Sequence, residues 1–355
     1  MTKIPVLILC PHPEERGGVA DYYRLVGKYF QSDRVDIKFY YTGKRGIGTI
    51  WNNRVLKFGK DLLCLVKIMG STDLVVFNPS LDPKAVIRDG IYHFLAKRVY
   101  RKKTLVFFHG WDLEFEQAIG RHARNLFKVV FNFDHGLLLA NQFKETLVRW
   151  GYPCESITVE TTIYEAYVHC SDRDYSRIVF LSRFEPNKGC LEAIKAVEIL
   201  AKQFRDIRLF MVGDGTLTHK LKQYVKSHGL DDNVIFTGWL EGEEKYRLLS
   251  GCGIMLYPTS YGEGMPICLL EGMGLGLVVV TRPVAGIRDI IEDGKNGFLI
   301  ESTAPEAFAD RLKYILLNAA ARHSISQNGK RQAEIRYEIR KVTRRLEQIY
   351  FETGQ

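Results

Sequence analysis

The chain has 355 residues, more than one hydrophobic core usually covers, so two domains are expected, each large enough to bury a substantial core. Its 46% hydrophobic and 26% charged content is that of a globular protein, and no apolar run approaches the length that spans a bilayer. The net charge of +9 is uneven: through Cys170 there are 24 Lys plus Arg against 17 Asp plus Glu, and beyond it 26 against 24, with no recognised nucleic-acid-binding module beside the charge. The seven cysteines form an odd set with neither Cys-x-x-Cys nor paired-His spacing, which reads as reduced, mostly buried thiols of a cytoplasmic protein.

Short apolar runs alternate with amphipathic stretches along the whole chain, as βαβ units do. In the first half the expected strands are Val6 to Cys10, Val35 to Tyr41, Asp73 to Asn78, Leu105 to Phe108, His135 to Ala140 and Ser156 to Glu160. The first run is short and follows a single lysine, so it reads as a core strand and not as a signal for export. Gly17-Gly18 after it reads either as a plain turn or as backbone that a phosphate can approach closely at a helix start. Basic residues then punctuate Trp51 to Met69, at Arg54, Lys57, Lys60 and Lys67, and crowd into Lys97-Arg98-Val-Tyr-Arg101-Lys102-Lys103. Such segments are either solvated helix faces or surfaces for an anionic membrane. His109 ends a strand and Asp112 follows three residues later. Either residue suits a hydrogen bond to a ligand, and equally a packing role for the histidine or a loop cap for the aspartate.

A polar stretch without periodicity, Tyr167 to Tyr175, marks the expected boundary. Its Asp172 and Asp174 are spaced like a metal-binding pair, but a linker position favours a solvated loop. In the second half the expected strands are Ile178 to Ser182, Arg208 to Val212, Val234 to Phe236, Ile254 to Tyr257, Leu277 to Thr281 and Gly297 to Ile300. The clearest helix runs from Cys190 to Phe204, and the terminal segment Asn328 to Phe351 reads as a basic helix.

The most informative stretch lies between Ser182 and Glu271. Arg183 and Lys188 sit just past an apolar run, where a doubly wound sheet presents ligands at its strand C-terminal ends. Arginine offers a planar fork for phosphate oxygens and lysine a mobile point charge. Further on, Pro266 signals a helix start, whose amides and dipole favour a phosphate, with Glu263 before it and Glu271 expected two turns inside. Two carboxylates on an otherwise apolar segment need ligand hydroxyls or hidden donors, because burying one alone costs several kcal/mol. Two cations and two carboxylates in this order suit a nucleotide diphosphate sugar.

With these motifs, Phe108-His109-Gly110, Val212-Gly213-Asp214-Gly215-Thr216 and the Gly17-Gly18 pair included, the chain resembles retaining glycosyltransferase family 4 (glycosyl transferases group 1) from residue 4 to about residue 320. The resemblance implies an α/β GT-B fold: two Rossmann-like doubly wound parallel-sheet domains facing a central cleft, with a C-terminal helix crossing back to the first. Residues 1–170 would bind the acceptor, 171–327 the donor, and 328–355 would cross over. It further implies a metal-independent, cofactor-free hexose transfer to an acceptor hydroxyl, either a sugar or a lipid-linked glycan. His109, Glu263, Arg183 and Lys188 would be catalytic. Gly17, Gly18, Gly213, Gly215, Trp239, Gly264, Met265 and Glu271 would complete the donor site. Glu160-Thr-Thr-Ile163 departs from the Pro-Asn-Gly turn of many relatives, and Met265-Pro266 replaces their small or aromatic residues. Cell-surface polysaccharide or glycolipid assembly at the inner membrane face would follow. A nucleotide-sugar 2-epimerase of the same architecture and a non-catalytic binding protein are the alternatives.

Overall fold

Each of the twelve apolar runs expected as a strand is one, and they pair into two six-stranded sheets, each parallel throughout. The computed structural model describes residues 3–15, 17–42, 64–65, 67–167, 173–262 and 264–355. The chain divides into two units: Met1–Ile163 with Gly262–Met265 and Ile339–Gln355, and Tyr164–Tyr261 with Pro266–Glu338.

The first unit contains β1 (Ile4–Pro11), β2 (Val35–Thr42), β3 (Leu74–Phe77), β4 (Ser80–Leu81), β5 (Lys103–Phe108), β6 (Gly110–Trp111), β7 (His135–Leu138) and β8 (Ile157–Val159). The sheet order is β2-β1-β3-β5-β7-β8, and β4 and β6 form a separate two-residue ladder that the sequence did not announce. Val6 to Cys10, Leu74 to Phe77 and Leu105 to Phe108 are buried along their whole length. A parallel sheet covered on both faces selects such unbroken apolar runs. Strand order reverses between β1 and β3, which makes the C-terminal ends of these strands the switch point of this sheet.

The terminal segment is two helices and not one: Ala319–Arg336 belongs with the second unit and Ile339–Gly354 with the first. The break falls at Tyr337-Glu338, where the Tyr164 amide donates to the Tyr337 carbonyl and Tyr164 bridges to Glu338. Ile339, Val342, Leu346 and Tyr350 form the buried stripe of the last helix, which packs on helix Gly18–Tyr29 and on β1, β2, β3 and β5. Arg345 on this helix grips Glu160 through Nε (3.1 and 3.0 Å) and Nη2 (2.7 Å). The residue that departs from the family turn is therefore the anchor of this helix.

The second unit contains β9 (Asp174–Leu181), β10 (Arg208–Val212), β11 (Val234–Gly238), β12 (Cys252–Tyr257), β13 (Val278–Thr281) and β14 (Phe298–Leu299), in the order β11-β10-β9-β12-β13-β14. β9 pairs with β10 on one side and β12 on the other, Ile178 standing opposite both Leu209 and Ile254. Order reverses there, so the ends of β9 and β12 define the switch point. The helix after β9 is Cys190–Ala201, shorter than the expected run to Phe204, because the amides of Gln203 and Phe204 both turn onto the Leu200 carbonyl.

Asp172 lies outside the described residues; Asp174 begins β9 and accepts hydrogen bonds from the Ser176 amide (2.8 Å) and hydroxyl (2.5 Å). Arg54, Lys57 and Lys60 also lie outside the described residues. Of the six described cysteines, all free, Cys10, Cys190 and Cys252 are buried and Cys154 is exposed. Among the described residues no helix is long and apolar enough to cross a membrane.

Candidate functional site

In the second unit, the loops leaving β9 and β12 lock together. The Ser260 amide donates to the Asn187 carbonyl (2.8 Å), and the Thr259 hydroxyl donates to the same oxygen (3.3 Å). Gly189 closes the contact at φ +81°, with the Pro258 carbonyl only 2.4 Å from where a Cβ would stand. Any side chain at 189 would force the loops apart. Between them Lys188 is buried, its Nζ 3.9 Å from the centre of the Tyr261 ring, a cation–π distance. Arg183, five residues earlier on the same loop, is exposed. One cation is thus fixed in a dry setting and the other remains in solvent.

The loop leaving β10 packs against the first of these. Gly213, at φ +142°, would place a Cβ 1.9 Å from the Ser182 carbonyl oxygen, and Gly215 would place one 2.5 Å from that of Phe184. The Phe184 amide donates to the Asp214 carbonyl and the Leu217 amide to the Phe184 carbonyl, each at 2.9 Å. Loop-on-loop packing therefore already demands both glycines. Trp239, just past β11, is half-buried and its indole Nε1 donates to Glu241 (2.6 Å).

Pro266 occupies the cap position of helix Ile267–Leu275. Glu271 therefore stands about one turn inside, ~6 Å of rise from Ile267, not two turns. It is buried, and its Oε1 accepts from Lys245 Nζ (2.7 Å) and the Tyr246 hydroxyl (3.0 Å). These are the hidden donors that a buried carboxylate requires. Both lie on helix Gly242–Ser250, and the only hint of them in the sequence was that a carboxylate on an apolar segment needs ligand hydroxyls or hidden donors.

In the first unit, His109 follows β5 and leans on Phe107 (ring centres 4.0 Å apart) and Tyr22 (5.1 Å). Asn78 fixes its tautomer. The Asn78 amide nitrogen donates to the Leu9 carbonyl (2.8 Å), so its oxygen is the acceptor, taking bonds from the Tyr23 hydroxyl (2.5 Å) and from His109 Nε2 (3.1 Å). Nε2 carries the proton and Nδ1 presents a lone pair. Burial pushes the imidazole down to about 3, so it is neutral at physiological pH. Asp112 is a cap: its Oδ1 accepts from the amides of Glu114 (2.9 Å) and Phe115 (3.0 Å) at the start of helix Leu113–Ala118.

Gly17 caps helix Gly18–Tyr29 at φ +150° with open space where its Cβ would be. Near it, at the C-terminal ends of β1, β2 and β3, lies a cavity of about 200 Å³ whose polar wall includes Thr42, Asn78, Ser80, Asp82 and Asp89. A Cβ on Gly264 would stand 3.1 Å from Leu139 and 3.2 Å from the His109 carbonyl, and Met265 is buried. Glu263 lies outside the described residues. Among the described residues no group of three or more His, Cys, Asp or Glu could hold a metal ion.

Residues 168–332, which carry β9 to β14 and the interlocked loops, match the family model described as Glycosyl transferases group 1. Over this segment the chain is similar to the group 1 glycosyl transferases. Among curated proteins, the amylovoran biosynthesis glycosyltransferase AmsK of Erwinia amylovora is 29% identical over 62% of this chain and 56% of its own length. The putative colanic acid biosynthesis glycosyltransferase WcaL of Escherichia coli is 25% identical over 60% and 55%. The chain thus spans little more than half the length of the curated relatives it matches. Among solved structures, Anabaena HepE in complex with UDP and glucose superposes with a TM-score of 0.77 at 15% identity, covering 98% of this chain and all of that one. The fold is GT-B, two parallel-sheet Rossmann-like domains with flanking helices.

Proposed function

We infer that the protein transfers a hexose from a nucleotide diphosphate sugar to an acceptor hydroxyl, keeping the anomeric configuration, as a member of glycosyltransferase family 4. The observation that carries this reading is the buried Lys188, held under Tyr261 where the β9 and β12 loops interlock at the sheet's switch point. A cation in a dry, fixed position stabilises a departing diphosphate without reorganising as charge develops. Arg183, exposed on the same loop, would add a bidentate grip on the phosphates as the donor arrives.

Glu271 would take the ribose hydroxyls on its Oε2, since both donors from helix Gly242–Ser250 converge on Oε1. Gly213, Gly215 and Trp239 would approach the base, Gly17 and Gly18 the phosphates, and Glu263, Gly264 and Met265 the hexose. His109 would accept a sugar hydroxyl at Nδ1 and stabilise charge at the reacting carbon. Reaction on one face, with the leaving phosphate assisting deprotonation of the acceptor, would require neither a carboxylate nucleophile nor a metal. The cavity at the ends of β1, β2 and β3 suits an acceptor sugar, since hydroxyls, an amide, two carboxylates and the Arg88 guanidinium line it.

HepE holds UDP and glucose, which supports a uridine donor, and the names of AmsK and WcaL support cell-surface polysaccharide assembly. The basic first half would suit work at the inner membrane face. Calorimetric titration with UDP-glucose and other nucleotide sugars, followed by product analysis with added acceptors, tests the reading. Donor binding that disappears in Lys188→Ala is expected. Undiminished affinity in that variant would sink the assignment, and epimerised donor without transfer would replace it with the 2-epimerase.

A further inference from the structure

We propose that the first unit carries a docking face for an anionic lipid bilayer, built by helix Pro83–Phe94 with its continuation Leu95–Val99 and by the neighbouring helix Arg124–Val130. A face of this kind needs apolar groups to enter the interface and cations to ring them, and both occur here on adjacent elements.

The apolar part is unusual for solvent-facing helices. Ile87 (66% exposed), Ile91, Phe94 and Val99 (58%) project from the first helix and its continuation, and Leu126 (65%) and Val129 (52%) from the second. Ile87, Ile91 and Phe94 fall at i, i+4 and i+7, a single stripe. It is a second stripe, distinct from the inward one formed by Ala85, Asp89, Tyr92 and His93. Gly90 lets the two helices close up, since a Cβ there would stand 2.7 Å from Val130. Both helices return between parallel strands of one sheet and so run the same way, which sets the two exposed stripes side by side on one outer face. Single exposed apolar residues need no explanation, but a cluster shared by two packed helices marks an interaction surface.

Charge selects the occupant. Residues 83–103 contain seven Lys or Arg and one acid, Asp89, and residues 120–131 contain three Lys or Arg and no acid. Asp89 is buried and already bonded to Arg88 (2.7 and 2.8 Å), so it offers the face no negative charge. Of the acids just beyond these segments, Asp82 caps helix Pro83–Phe94 through the Lys84 and Ala85 amides (3.0 Å each), and Asp134 is taken by Lys97 (2.6 Å). A second copy of the chain would set like charges against one another, whereas a sheet of acidic headgroups matches both components. The sequence disclosed the cations but not this apolar face, because only packing decides which apolar positions of a helix are left exposed.

The test is co-sedimentation of the full chain with vesicles of phosphatidylcholine alone or mixed with phosphatidylglycerol. Binding to the anionic vesicles only, weakening as salt rises, is expected. Arg98→Gln and Arg101→Gln should each lower the partition coefficient about fivefold. The triple variant Ile87→Gln, Leu126→Gln, Val129→Gln should lower it at least tenfold at unchanged thermal midpoint. Lys330→Gln with Arg331→Gln, on helix Ala319–Arg336, should leave it unchanged. Absence of vesicle binding, equal loss in the Lys330/Arg331 variant, or self-association abolished by the triple variant would each overturn the proposal. Nucleotide-sugar binding measured on the same variants stays intact in either case, so this result and the reading of the donor site fail separately.

Discussion

Lys245 Nζ stands 2.7 Å from Glu271 Oε1, and the Tyr246 hydroxyl reaches the same oxygen at 3.0 Å. The pair is largely buried, with side-chain exposures of 19% and 7%, so its members depend on each other more than a surface pair would. Removing one partner strands the other, whereas an isosteric amide keeps the packing.

Glu271→Ala should accordingly destabilise the second unit by about 3 kcal/mol, read as a lower denaturant midpoint. Glu271→Gln should cost less stability yet weaken nucleotide-sugar binding about tenfold in calorimetry, because an amide accepts fewer ribose hydroxyl bonds. Equal donor affinity in wild type and Glu271→Gln would remove this residue from the ribose site.

Gly213→Ala and Gly17→Ala should behave oppositely. At 213 a methyl meets the Ser182 carbonyl at 1.9 Å, so the three-loop cluster must shift, at a cost of about 3 kcal/mol or more in stability. At 17 nothing stands within 4 Å, and only backbone strain of about 1–2 kcal/mol opposes the change. Thermal midpoints of the two variants check the contrast.

Asp112→Ala should lose about 1 kcal/mol of stability with the cap of helix Leu113–Ala118, and Asp112→Asn should recover most of it. Transfer kinetics should be unchanged in both, since the carboxylate is already committed to two amides.

Buried imidazoles make the first unit acid-sensitive. His93 is fully buried and desolvation pushes it down to about 4, from an ordinary value near 6.5. Its folded form therefore resists protonation while the unfolded chain accepts a proton, so stability is fully present above pH 6.5 and falls as pH drops toward 4. The slope is about 1.4 kcal/mol per pH unit for one such group. His109 adds to the same trend in direction. Denaturation midpoints measured from pH 7 to pH 5 should fall, and less steeply in His93→Gln; parallel slopes would contradict the assignment.

The inner strands were legible because runs such as Val6 to Cys10, Leu74 to Phe77 and Ile254 to Tyr257 are short, unbroken and apolar, as a parallel sheet buried on both faces requires, whereas edge strand β2 carries exposed Asp36 and Lys38. The positions of Lys188 and Glu271 were legible for a related reason: charges next to apolar runs are conspicuous. Their surroundings were not. Lys245 and Tyr246 reach Glu271 from a helix twenty-odd residues upstream, and local periodicity carries no record of such a contact. The break at Tyr337-Glu338 was equally hidden, since the apolar spacing from Ile335 to Ile349 runs through it and the pairing with Tyr164 that accompanies it is distant in sequence. The packing demand on Gly213 and Gly215 was also invisible, because the neighbouring loop of Ser182 and Phe184 supplies the obstruction.

The interlock of Asn187 and Gly189 with Pro258 to Ser260 has a consequence for biosynthesis. The loop bearing Arg183 and Lys188 leaves the ribosome some seventy residues before the segment that clamps it. A nascent chain halted ahead of β12 thus has its cations but lacks the clasp that holds Lys188 in a dry setting. The clasp forms only once the central strand has gained its second neighbour, so under the proposed reading competence to bind an anionic donor would report completion of this sheet.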